Sequence, residues 1–200
     1  LHLDIARRRG LKIPRTLISN SADDITHFIR ANRESGKRTV VKGFRNSSWV
    51  NEADQRSTFS TAIIDEGKAP EADVRAAPNI FQEYVEKRLE VRLTVMGKSL
   101  FAASIDSQKH EKSMLDFRRI GDWTKLGCLP IEIPQAVSAA IIAFQHACNF
   151  NFGTMDFIVN EEGEWIFLET NTVGNFLWVE NVCGEMRLLD AMVDFIISGT

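Results

Sequence analysis

Two hundred residues carry 24 Lys and Arg against 27 Asp and Glu, for a net charge of −3. That length holds one large or two small domains with a real core, and the near-neutral charge gives no electrostatic case for nucleic acid or an anionic membrane as partner. No apolar run approaches the roughly 20 residues of a membrane span, no secretory signal opens the chain, and three cysteines without CxxC spacing speak for a reducing, cytoplasmic setting rather than for disulfides or zinc.

Leu1 to Gly10 reads as the last turns of a helix closed by a glycine. With leucine at position 1, this stretch is expected to be the remnant of an upstream domain's last helix in a larger protein. Ile13 to Ile18 is a short extended segment, with Pro14 tolerable at a strand start. Ser19-Asn20-Ser21 offers N-caps for a helix over Ala22 to Glu34, with Ile25, Phe28 and Ile29 on one side and Gly36 as the stop. Arg38 to Gly43 is a compact strand that ends in Lys42. Phe44 to Ser60 is polar and patternless, which predicts a mobile loop. Thr58 to Asp65 fits a strand or a helix edge equally, and Glu66 to Pro78 has the composition of a linker.

Asn79 to Val85 is a strand. Glu90 to Met96 and Leu100 to Asp106 form a hairpin around Gly97-Lys98. Ser107 to Leu126 is charged and aperiodic, as functional loops are. Pro134 suits the first turn of an amphipathic helix reaching Cys148, with Val137, Ile141, Phe144 and Cys148 at helical spacing. Val173 to Glu180 reads as a loop. A closing helix over Glu185 to Ile197 is expected to turn Met186, Leu189, Val193 and Ile197 inward. Mixed helices and antiparallel hairpins predict an α+β fold with two lobes.

The stretch from Gly153 to Asn171 holds the strongest chemical signal. It reads as two strands with a polar turn at Asn160–Gly163. Asp156, Glu169 and Asn171 interrupt apolar strands, and carboxylates there are costly unless paired or metal-bound. Glu169 and Asn171 share a face by the two-residue period. A turn centred between Glu161 and Glu162 would oppose Asp156 to Phe167 and bring all three oxygens to the face that carries Trp165 and Phe167. Such hard donors suit Mg²⁺, above all when phosphate oxygens complete its shell. A one-residue bulge would undo that geometry.

Other positions acquire meaning beside this hairpin. Lys42, before Gly43 and a polar loop, can reach a polyphosphate as a point charge, although a strand-end lysine also simply extends to solvent. Gln82-Glu83-Tyr84-Val85 joins two strands and can offer backbone groups to a base edge. Glu90 could accept from ribose hydroxyls. Arg92 shares its strand face, and Arg118 and Arg119 follow Asp116 in a loop; such cations suit developing phosphoryl charge. The fingerprints of P-loop NTPases, Rossmann dinucleotide sites and α/β-hydrolase elbows are all absent from the sequence.

In this order the pieces resemble the ATP-grasp superfamily: Lys42, Gln82 to Val85, Glu90-x-Arg92, Asp116-Phe117-Arg118, Asp156, then Glu169-x-Asn171. The likeness covers nearly the whole chain and is closest to ribosomal-protein glutamate ligases and ATP-grasp peptide maturases, as in Val91 to Gln108, Leu168 to Glu180 and Gly10 to Asn20. The resemblance implies residues 11–85 as a smaller lobe with a mobile phosphate loop, residues 86–200 as a C-terminal lobe with the metal site, and ATP held between them. It implies an ATP-dependent carboxylate–amine or carboxylate–hydroxyl ligase that works through an acyl phosphate on a peptide or amino acid. Lys42 would hold the α/β-phosphates, Gln82, Glu83, Tyr84 and Val85 the adenine, and Glu90 the ribose. Asp156, Glu169 and Asn171 would hold Mg²⁺, or Mn²⁺, while Arg92 and Arg118 steady the transferred group. An ATP-binding module without turnover is the alternative, and a homo-oligomer is left open. Thr172-Val173-Gly174 departs from the proline and second asparagine that relatives often carry, which leaves open whether Asn175 replaces a lost contact.

Overall fold

A computed structural model describes residues 1–44, 48–50, 56–58, 61–66 and 77–199. The chain divides into two compact units, a larger one of Leu1–Ile13 with Glu86–Thr200 and a smaller one of Pro14–Val85.

Four strands build the sheet of the smaller unit: β1 (Thr16–Ser19), β2 (Thr39–Lys42), β5 (Ala62–Ile64) and β6 (Asn79–Glu83), in the order β1-β6-β2-β5 with every pair antiparallel. Helix α2 (Ala22–Glu34) packs on it through Ile25 and Ile29 against Phe81. The helix starts where the sequence predicts. Ser21 caps it by accepting from the Asp24 amide, and Asp23 and Asp24 complement the positive end of the dipole. The ambiguous stretch at 58–65 contains strand β5. Part of the expected loop at 44–60 is instead a short antiparallel pair, β3 (Ser48–Val50) with β4 (Arg56–Thr58). The rest of that loop (45–47, 51–55 and 59–60) and most of the expected linker (67–76) lie outside the described residues.

The larger unit is built on one antiparallel sheet of five strands: β7 (Leu89–Met96), β8 (Ser99–Ile105), β9 (Cys128–Pro130), β10 (Phe152–Val159) and β11 (Trp165–Asn171), in the order β11-β10-β7-β8-β9. Its two faces differ sharply. Val91, Leu93 and Val95 of β7, Met155, Phe157 and Val159 of β10, and Phe167 pack with Ile141 and Phe144 of α3 (Gln135–Cys148) and with Ala6 of α1 (His2–Arg8). Burying each of these large side chains contributes about 2–3 kcal/mol, so this face dominates the unit's stability. Helix α3 ends on Asn149 in the left-handed region, φ 54°, which asparagine tolerates. Gln145 near its end donates to the Gly97 carbonyl at 2.8 Å and ties the helix to the β7–β8 turn.

The opposite face packs α4 (Leu177–Cys183) and α5 (Leu188–Ser198) through Val179, Cys183, Leu188 and their neighbours. Two sequence expectations fail here, at the start of α4 and in the buried face of α5, and the expected loop at 107–126 gains local detail. The stretch read as a loop to Glu180 contains the start of α4. The aperiodic 107–126 segment holds three short 3₁₀ turns, and strand β9 follows it. In α5, Leu189, Val193 and Ile197 are exposed, whereas Leu188, Ala191, Met192 and Phe195 face the core. That helix is apolar nearly all round, so two stripes one residue apart fit the 3.6-residue period equally well. The Leu189 amide, bonded to the Glu180 carboxylate at 2.8 Å, accompanies the observed one. Among the described residues no helix is long and apolar enough to cross a membrane.

Candidate active site

The hairpin β10–β11 reaches the expected clustering of oxygens by a different route. Its turn is one residue longer than a symmetric Asn160–Gly163 turn: the Asn160 amide pairs with the Glu164 carbonyl, and Asn160 Oδ1 accepts from the Glu164 amide at 2.8 Å. Val159 therefore opposes Trp165, and Phe157 opposes Phe167. Had that register continued, Asp156 would oppose Leu168, and Glu169 and Asn171 would point into the aromatic core. A β-bulge intervenes, and Asp156 opposes Glu169 while Thr154 opposes Asn171. The two one-residue offsets run the same way and together make one full two-residue period of the pleat, so the oxygens return to a shared face. Trp165 and Phe167, expected beside the oxygens, lie on the other face, where Phe167 is fully buried.

On β7 the residues that share this polar face are Glu90 and Arg92, because Arg92 opposes Asp156 and Glu90 opposes Ile158. Arg92 Nη1 donates to Asp156 Oδ1 at 2.7 Å, and its Nη2 donates to the Asn175 carbonyl at 2.9 Å. Trp178 Nε1 donates to the same carbonyl at 3.0 Å, so the main chain of Asn175 organises the loop after β11. Gly174 is required there. Its φ is +62°, and a Cβ would lie 2.6 Å from the Phe152 ring. Asn171 Oδ1 accepts from the Val173 and Gly174 amides at 3.0 and 3.3 Å and shapes the same turn.

The 3₁₀ turn at Phe117–Ile120 brings Arg118 to this face. Asp116 caps the turn, accepting from the Arg118 amide at 3.1 Å and from Arg118 Nε at 2.8 Å. Arg118 Nη1 lies 4.0 Å from Glu169 Oε1. Burial works to raise the Asp116 carboxyl, but the hydrogen bonds and charge of Arg118 outweigh it and hold the group below the usual carboxylate range. Burial likewise works against the Arg118 guanidinium, and Asp116, with Asp156 and Glu169 beyond, more than restores it. Glu90 behaves oppositely. Burial pushes its carboxyl up, against the pull of Lys87 and a hydrogen bond from Ser107, and the Asp156 charge adds to the rise.

Glu90, Arg92, Arg118, Asp156, Glu169 and Asn171 thus come together in the larger unit. In the smaller unit Lys42 Nζ donates to Gln82 Oε1 at 2.8 Å, and Gln82 Nε2 donates to Thr16 Oγ1 at 2.9 Å. Glu83 follows at the end of β6, with Lys37 Nζ 3.7 Å away, and the Arg38 guanidinium lies over the Tyr84 ring at 4.2 Å. Val85 closes that unit. Sequence reading missed Lys87, whose ammonium bonds Glu90 Oε1 at 2.8 Å, because a lysine in a polar connection carries no periodic signal. It also missed Trp178 and Thr154, which look like ordinary helix and strand residues.

The donor set fits a hard cation. Two carboxylates directly opposed across a strand pair, with an amide oxygen two residues on, make an all-oxygen group of the kind Mg²⁺ accepts. Among the described residues no three His, Cys, Asp or Glu side chains cluster as a metal site, so phosphate and water oxygens would have to complete the shell. Among the described residues, two buried polar atoms on the same face, Arg92 Nε and Thr154 Oγ1, have no hydrogen-bond partner, and an unmet buried donor suits an incoming anionic group.

Comparison with known proteins locates this architecture. No family model and no curated protein matches the sequence. Solved structures do. A RiPP-associated ATP-grasp ligase from Chryseobacterium gregarium, in complex with ADP and a leader and core peptide, aligns with TM-score 0.90 and 28% identity over 99% of this chain and 58% of that one. The macrocyclase MdnC from Microcystis aeruginosa, bound with precursor peptide MdnA, shares the fold with TM-score 0.81 and 24% identity over 100% of this chain and 59% of that one. The ATP-grasp ligase PsnB, complexed with minimal precursor, Mg and ADP, shares it with TM-score 0.70 and 20% identity over 96% and 56%. The fold is α+β of the ATP-grasp type, and the chain belongs to the ATP-grasp superfamily. Within it, the chain is similar to peptide-modifying ligases, and it spans somewhat over half the length of these relatives.

Proposed function

We propose that this chain is the ATP-grasp part of an ATP-dependent ligase that modifies a peptide, joining a carboxylate to an amine or hydroxyl. The observation that carries this reading is the opposed pair Asp156 and Glu169, flanked on one sheet face by Arg92 and Arg118. The similarity to a RiPP-associated ligase that is bound to ADP and peptide supports it.

In this reading the γ-phosphoryl group of ATP passes to a substrate carboxylate. The resulting acyl phosphate is attacked by the amine or hydroxyl, phosphate leaves, and the nucleophile's proton passes to solvent. Asp156, Glu169 and Asn171 would hold Mg²⁺, which when bound draws charge from the phosphate oxygens. The chain's own residues position rather than bond. Arg92, fixed between Asp156 and the Asn175 carbonyl, presents a buried guanidinium to the transferred group. Arg118, kept charged by Asp116, offers a second cation at the Glu169 side. Lys42 is assigned to the α/β-phosphates, Gln82, Glu83, Tyr84 and Val85 to the adenine, and Glu90 to the ribose. For Glu90 the buried bond to Lys87 makes a supporting role equally consistent with its position.

The test takes the full-length protein with ATP and a carboxylate-bearing peptide. ADP release that depends on both Mg²⁺ and peptide is expected, with loss in Glu169→Ala. Mg²⁺-dependent ATP binding without turnover on any peptide would leave a nucleotide-binding module in place of a ligase.

A further inference from the structure

Lys87 has no assigned role, yet it is among the most buried charged groups described, with a side chain 3% exposed. A buried ammonium persists only when it is paired and hydrogen-bonded. Its Nζ makes two bonds, to Glu90 Oε1 at 2.8 Å and to the Leu115 carbonyl at 3.1 Å. The first anchors it to β7, a central strand of the sheet. The second takes hold of the main chain one residue before Asp116. On the other side of Asp116, Phe117 stacks on Trp178 at 5.7 Å between ring centroids. Asp116 is therefore pinned from both sides, by a cation before it and an aromatic stack after it. Asp116 in turn orients the Arg118 guanidinium, which faces Glu169.

Stability alone is a poor reason for such a lysine. Replacing a buried ion pair with well-packed apolar side chains is often neutral or stabilising. What an ammonium adds is direction: three tetrahedral donors that fix a carboxylate and a carbonyl oxygen at once. The local bonds within 107–115, such as Ser113 Oγ to the Ser107 carbonyl at 2.7 Å, shape the segment internally. Lys87 fastens that shape to the sheet.

We propose that Lys87 is a positioning residue for Arg118, acting through Leu115 and Asp116 to hold the guanidinium at the Glu169 side of the site. This rests on the polar face being the nucleotide site. The experiment uses the full-length protein, wild type and Lys87→Met, Arg118→Ala and the double variant. Amide hydrogen exchange is measured without nucleotide, and affinity is measured with Mg·ATP. Lys87→Met should raise exchange at residues 115–120 at least tenfold, while residues 89–96 and 152–159 stay protected. It should weaken Mg·ATP roughly tenfold, the worth of one hydrogen bond to a charged group. In the Arg118→Ala background the same change should add no more than about twofold, because coupled residues are not additive. Unchanged exchange at 115–120 overturns the proposal, and so does a full additional loss of affinity in the Arg118→Ala background. If Lys87→Met lowers protection across the whole sheet, Lys87→Arg decides: protection restored at 115–120 supports positioning by a cation, and protection still absent there overturns it. A wild-type protein that binds no Mg·ATP defeats the nucleotide reading, while the exchange measurement still decides whether Lys87 holds the segment.

Discussion

The two faces of the five-stranded sheet use the same strands for opposite purposes. Along β7, Val91, Leu93 and Val95 enter an apolar core, and the alternate residues Glu90 and Arg92 carry charge. Along β10, Phe157 is buried in that core and its neighbour Asp156 is bound to Arg92. One face holds the unit together by area; the other holds a few polar groups in fixed directions. A strand can do both because its side chains alternate, so rigidity built on one side is inherited on the other. The prediction is a separation of effects. Changes on the core face should move stability, and changes on the exposed part of the polar face should move binding.

The sharpest test is Phe157→Ala, which should cost about 3–5 kcal/mol of folding free energy, read from urea denaturation midpoints. Asp156→Ala comes next and blurs the boundary between the faces. It removes the anionic partner of Arg92, a residue only 9% exposed, and should cost about 3 kcal/mol in the same measurement as well as abolishing Mg²⁺-dependent ATP binding. A smaller effect is expected from Asp116→Asn. The Asp116 carboxyl is held below its usual value of 3.8 in the folded protein. Its contribution is therefore fully present above that value and is lost as pH falls through the folded one. The Asn variant should be less stable at neutral pH and should lose that part of the acid limb, followed by thermal unfolding between pH 7 and pH 2. Glu169→Ala should matter least to folding, within about 0.5 kcal/mol, because its side chain is 61% exposed. Mg²⁺-dependent ATP affinity should nonetheless collapse. A Glu169→Ala protein that loses stability but keeps affinity would reverse the comparison.

Much of the fold is legible in the sequence because local rules agree with the tertiary outcome. Helix α2 begins at a serine cap followed by two aspartates, and α3 follows a proline and carries one apolar stripe. The hairpin at Gly97-Lys98 has strong strands on either side of a glycine turn. Legibility fails where two solutions are locally equivalent. Helix α5 offers two apolar stripes, and only the packing of Leu188 and Phe195 selects one. The 107–126 segment has no period because its order comes from side-chain bonds at Asp116, Asp122 and Ser113 rather than from repeated burial. In the site, Asp156, Glu169 and Arg92 stand out as charges inside apolar strands. Lys87 does not, since its partners are 3 and 28 residues away and no spacing rule connects the second.

The hairpin that carries Asp156 and Glu169 has a further consequence, which concerns insertions and deletions. From Asn160 to Leu168 the chain behaves like a reading frame of two. The longer turn shifts the frame by one, and the bulge shifts it by one more, which completes the period of two before Glu169 is reached. A single residue added to the turn or removed from it would therefore do more than alter a surface loop. It would send Glu169 and Asn171 toward the aromatic core, unless a second change near Leu168 restored the frame. Loop redesign at this tip has to proceed in pairs of residues, or in compensated single steps, for the carboxylates to remain opposed.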